Sequence, residues 1–233
     1  MSGLKIDYAA ISDPVREVRV SSGRRLALRV ARVGALAAAL ALLPFVLLIR
    51  GGVWAYRVWD LGTWPSLGLA SVATALLLGA YAALAARRIG ARRSMRTLFV
   101  RGAATLGMTY VGYMLLFVAS ANVKSDDVRR EYRSMHPLLR VASSAMILAD
   151  PESVVTDAGR TPEDYRRMGM AATDASLHFV QPDGYVHALD LRTGGRSELR
   201  NRALALAFRA LGFHTLRHVG TADHLHVSLR MPL

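Results

Sequence analysis

Residues 176–191 read SLHFVQPDGYVHALDL, and this stretch decides how the C-terminal part of the chain is read. Pro182-Asp183-Gly184 is a turn signal: proline presets φ and glycine takes the left-handed position of a three-residue loop. The β-type residues on either side predict a hairpin with Gln181 and Tyr185 as its flanking pair. Counting outward, His178 faces Ala188 and lies diagonal to Asp190, and alternation turns His187 to the other face. A second stretch, Asp223-His224-Leu225-His226, complements it. Leu225, Val227 and Leu229 alternate as a core face, so His224, His226 and Ser228 point the other way. His178, Asp190 and His226, with one position left for water, have the composition of a catalytic zinc site.

The net charge of +13 raises the question of nucleic acid. Its distribution argues against that partner: about +11 lies in residues 1–123 and only about +2 in residues 124–233. The excess borders apolar segments instead. With no cysteine, disulfides and thiolate metal sites are excluded.

Residues 1–32 read as a basic tail passing into helix. Three uncharged runs follow, Val33–Ile49, Leu61–Ala86 and Gly102–Val123, each near or above the ~20 residues that span hydrocarbon. Arg87, Arg88, Arg92, Arg93 and Arg96 crowd the second loop, whereas the first holds only Arg50 and Arg57. The positive-inside rule places tail and second loop in the cytoplasm and, after three crossings, residues 124–233 outside. Trp54, Trp59 and Trp64 mark the outer interface. No ionisable residue interrupts the runs, so a charged transport pathway is not expected.

Beyond the spans, Ser125 before Asp126 and Asp127 predicts a helix start, and Pro137 a second helix closed by Pro151. Val154–Thr156 predicts a short strand. Thr161-Pro162-Glu163-Asp164 has the cap, proline and acids of another helix start. Ser197 opens a helix that ends at Gly212. Phe213–His218 and Asp223–Arg230 are strands around a turn at Gly220-Thr221-Ala222. His136, His187, His214 and His218 read as structural or solvent-facing histidines.

Residues 154–228 resemble the zinc D-alanyl-D-alanine carboxypeptidases and dipeptidases, which share a fold with lysostaphin-type enzymes and the Hedgehog signalling domain. Asp157-Ala158-Gly159-Arg160 stands where that family has its arginine motif. Ser176-Leu177-His178 and Ala188-Leu189-Asp190 match the two ends of its second motif, and Asp223-His224-Leu225-His226 its third. The gap from His178 to Asp190 is longer than the family's, and Asp223 replaces its glutamate. The resemblance implies Zn2+ on His178, Asp190 and His226. Arg160 would stabilise the developing oxyanion, and Asp223 or His224 would handle the water's proton, Asp223 being favoured.

The expected architecture is a basic tail (1–32), three transmembrane helices (33–123) and an α+β domain with a small antiparallel sheet (124–233), Hedgehog- or DD-peptidase-like. The expected function is a metallopeptidase of a bacterial cytoplasmic membrane, cutting D-amino-acid peptide bonds of peptidoglycan outside the cell. Its expected partners are the wall peptide and the bilayer, not nucleic acid; a membrane protein partner or a second copy is left open. Two alternatives stand beside it: a non-catalytic module of the same fold that binds peptidoglycan or a partner, and a membrane component of a larger assembly.

Overall fold

The computed structural model describes residues 14–169, 171, 176–220 and 223–232, with side chains from residue 23 onward. The start of the basic tail and the centre of the turn expected at Thr221-Ala222 lie outside the described residues. Two compact units divide the chain, residues 1–43 and residues 44–233.

Helix α1, Pro14–Val58, runs through both Arg50-Gly51-Gly52 and Trp54, so the first loop is far shorter than the sequence suggests. Helix α2, Thr63–Arg88, follows after residues 59–62. Gly23–Val58 and α2 are long and apolar enough to cross a membrane. Only 11% and 28% of their apolar windows are buried, unlike the mostly buried core helix of a soluble protein.

The third expected span is corrected. Helix α3 is Arg93–Leu116, and Arg93, Arg96 and Arg101 fall inside it. Its uncharged part, from Gly102, is only about 22 Å long at 1.5 Å per residue, short of the ~30 Å hydrocarbon core. The last carbonyls of the helix are taken by residues further along the chain: Arg140 donates to Leu115 O at 2.9 Å and Ser144 to Met114 O at 3.1 Å. Phe117 is already extended.

The remaining helices start where their caps say they should. Ser125 accepts the Val128 N–H ahead of α4, Asp126–Glu131. Helix α5, Pro137–Ala149, has proline in its first turn and His136 as its cap. Thr161 and Asp164 form a reciprocal capping box on α6, Pro162–Arg167. Ser197 caps α7, Glu198–Ala210.

Four strands complete the fold: β1 (Val155–Asp157), β2 (Ala188–Arg192), β3 (His214–His218) and β4 (His224–Ser228). They form an antiparallel sheet of order β1-β2-β4-β3. Leu189, Leu191, Leu225 and Val227 face a core that includes Leu138, Leu139, Val141 and Phe208.

The hairpin is corrected in one arm. Gln181 N–H does bond Tyr185 O, and Val180 bridges Val186 in the expected register. Beyond that pair the ascending arm is not a strand. Phe179 N–H returns to Ser176 O, and His178 O accepts the Arg160 N–H, so β2 takes β1 and β4 as neighbours instead.

The core does not stop at residue 124. Leu48, Ile49, Val53, Tyr56, Leu67, Val111 and Met114 belong to the same apolar cluster as Leu138 and Leu139. Gly52 marks the closest approach, since a Cβ there would come 2.5 Å from Leu138 Cδ2. Fragment 124–233 expressed alone should therefore expose a large apolar face and lose its cooperative thermal transition. Circular dichroism melting, beside the full chain in detergent, checks this.

Candidate metal centre

The sheet face opposite the core carries the expected residues. Asp190 on β2 pairs directly with His226 on β4, flanked by Asp157 on β1 and Leu216 on β3. His178 reaches the same point from the irregular arm. Its backbone is pinned by Arg160 N–H on its carbonyl, and its own N–H donates to Ser176 Oγ at 3.3 Å.

The three side chains converge. His226 Nδ1 lies 3.0 Å from Asp190 Oδ1 and 3.2 Å from His178 Nε2, and His178 Nε2 lies 3.4 Å from Asp190 Oδ1. Four-coordinate zinc with bonds of ~2.0–2.1 Å needs donors about 3.3 Å apart, so this donor set fits such an ion. The rings' hydrogens fit as well. His178 Nδ1 is 2.5 Å from Ala158 O and must donate, which leaves Nε2 with its lone pair toward the centre. His226 Nδ1 then carries the hydrogen shared with Asp190 and His178, where a cation would sit.

Asp190 is 2% exposed. Burial pushes its carboxyl up, but the two histidines that converge on it outweigh burial and hold it well below the usual carboxylate range.

Arg160 meets the site differently from expectation. Its Nη2 donates to Asp190 Oδ2 at 2.6 Å and its Nε to Asp157 Oδ2 at 2.7 Å. Burial opposes its charge, yet Asp157 and Asp190 hold its pKa above the ordinary arginine value. A cleft of about 290 Å3 opens beside Arg160 and Asp157, between Lys124, Glu131 and Asp164. It is lined by none of the three converging residues, so the sheet face, not this cleft, carries the candidate centre.

The expected base, Asp223, is turned aside. Its Oδ1 accepts the Gly220 N–H at 2.5 Å and its Oδ2 pairs with Arg217 at 3.3 Å. His224 stays on the site's face, its Nε2 3.7 Å from Asp190 Oδ2 and its ring stacked on His218 at 4.5 Å. His214 and His218 are exposed, as read.

Sequence reasoning missed one grouping. His136, Asp183 and His187 also bring their ligand-type atoms together. The available signals were the i, i+4 spacing of Asp183 and His187 and the placement of His136 before Pro137; neither links His136 to the other two without the fold. No family model, curated protein or solved structure matches the chain.

Proposed function

We propose that the chain is a membrane-anchored zinc peptidase whose C-terminal domain acts on D-amino-acid peptide bonds of peptidoglycan. The observation that carries this reading is the meeting of His178 Nε2, Asp190 Oδ1 and His226 Nδ1 within 3.0–3.4 Å. The motif order that resembles the D-alanyl-D-alanine peptidases supports the substrate class. When bound there, zinc supplies an acidified water and polarises the scissile carbonyl. Arg160 fixes Asp190 by holding its second oxygen, and His224 stands beside the trio as the proton acceptor.

Zinc on His226 Nδ1 would need the ring hydrogen moved to Nε2, a change of tautomer with no net proton released. Isothermal calorimetry on the full chain should give one zinc per chain. Purified full-length chain in detergent that takes up no zinc would sink the proposal. Zinc uptake without hydrolysis of wall peptides would favour the non-catalytic module. One contact also leans that way: Arg160 is engaged by Asp157 and Asp190 rather than open to a substrate oxyanion.

For topology we propose that residues 124–233 lie outside a bacterial cytoplasmic membrane. The arginine-rich segment 87–96 on the inside supports this. So does α3, whose 24 residues return along α2 to end against α5. At about 36 Å the whole helix exceeds the ~30 Å hydrocarbon core, so in this proposal it crosses beside α2 with Arg93 and Arg96 at the inner headgroups and Arg101 snorkelling toward them. Protease added to spheroplasts should digest the domain and spare the helices. Protection until lysis would reverse the orientation.

A further inference from the structure

The group at His136, Asp183 and His187 has the same composition as the candidate centre. His187 Nε2 is 3.0 Å from both Asp183 oxygens, and His136 Nε2 is 3.7 Å from Oδ2. The two groups differ in where the ring hydrogens must be. His136 Nδ1 accepts the Leu138 N–H at 3.2 Å, so its hydrogen sits on Nε2 and donates to Thr63 Oγ1 at 3.0 Å. A metal would need that nitrogen bare. His187 Nδ1 faces Leu229 O at 3.1 Å, and its Nε2 faces a carboxylate. Both partners only accept, so the ring carries both hydrogens and is an imidazolium. Burial, followed by the charge of His187, pushes the His136 pKa down to about 3, in keeping with a neutral ring there.

The acceptors of Asp183 are filled as well. Beside His187 it receives the Tyr56 hydroxyl at 3.2 Å, the Thr63 hydroxyl at 3.3 Å and the Tyr185 N–H at 3.2 Å. Tyr56 belongs to the last turn of α1, and Thr63 is the first residue of α2. Trp64 Nε1 continues the seam outward to Tyr185 Oη at 2.9 Å. On its other side His187 lengthens the β2–β4 ladder, because its carbonyl accepts the Leu229 N–H. Asp190 and His226 are carried on that ladder, three residues from His187 and Leu229 respectively.

We infer that His136, Asp183 and His187 form a metal-free lock. Its imidazolium–carboxylate pair, a buried His187 ring on a partly buried Asp183, is completed by hydroxyls from the ends of α1 and α2, and it fixes the sheet that bears Asp190 and His226 onto those helices. Directional bonds of this kind set one docking position, which apolar contact alone does not. If the helix ends withdraw, the partly buried Asp183 carboxylate loses two of its donors, so the lock resists their separation.

The test uses the full chain in lipid nanodiscs. With 15N-labelled histidine, His187 should show two protonated ring nitrogens and His136 hydrogen on Nε2 only. Asp183→Ala and His187→Ala should hold the same zinc content as the wild type. Tyr56→Phe/Thr63→Val, which removes only the two hydroxyls, covers the case in which those variants fail to fold. In a Trp54→Phe/Trp59→Phe background it should shift Trp64 emission to the red and speed proteolysis at residues 117–124 roughly tenfold. A zinc equivalent lost in Asp183→Ala or His187→Ala would make the group a metal site. A singly protonated His187, or wild-type emission and proteolysis in Tyr56→Phe/Thr63→Val, would remove the lock.

Discussion

Asp190→Asn should abolish zinc uptake and strongly destabilise the fold in the same variant. The carboxylate is buried, and its two oxygens do different work: Oδ1 faces His178 and His226, Oδ2 holds Arg160. An asparagine leaves the Arg160 charge with Asp157 alone and offers an N–H where an acceptor is needed. Breaking a buried ion pair by removing one partner costs about 3–5 kcal/mol. Elemental analysis and thermal melting of the full chain read the two effects together. Normal zinc content with an unchanged melting temperature would mean that Asp190 neither ligates nor anchors.

The same group sets the acid limb of stability. Its folded pKa is depressed, so its contribution is complete above the ordinary carboxylate pKa of ~3.9 and is lost as pH falls through the lower folded value. Wild-type chain should keep this contribution at pH ~4 and shed it only under stronger acid, whereas Asp190→Asn should lack that dependence.

How far the sequence spoke can be traced residue by residue. Alternation on β4 was enough to separate His224 and His226 from Leu225 and Val227, because a strand with one buried face has little freedom of register. Caps were equally plain: Ser125, Thr161 with Asp164, and Ser197 satisfy orphan N–H groups with local side chains. The hairpin arm was not legible. Its loss depends on Arg160 N–H reaching His178 O across eighteen residues, a tertiary bond that local propensity does not report. Nor was the end of α3, where Arg140 and Ser144 from a later helix take the last carbonyls. The resemblance to the peptidase motifs named Asp223 as well as His224; only the fold shows Arg217 and Gly220 already holding Asp223.

That difference sets the second large effect. His224→Ala should lower peptide hydrolysis by about 10²–10⁴ fold, the range for losing a general acid–base group, while zinc content stays at the wild-type level. Asp223→Asn should change the rate by no more than a few fold. The sequence alone favoured the reverse, because Asp223 stands three residues before His226 as the family's glutamate does before its histidine. Asp223 stands just before β4, with its carboxyl held by Gly220 and Arg217. The Gly220 N–H and the Arg217 charge hold its carboxyl below the ordinary range, which makes it a weaker base at neutral pH. His224 sits two residues from His226 on the same face, its Nε2 within 3.7 Å of Asp190. An imidazole there can take a proton from water at the trio and return it to the leaving amine. If Asp223→Asn instead shows the large loss with zinc retained, and His224→Ala stays near the wild-type rate, the proton passes through the carboxylate. The loop that carries Asp223 must then rearrange when substrate binds.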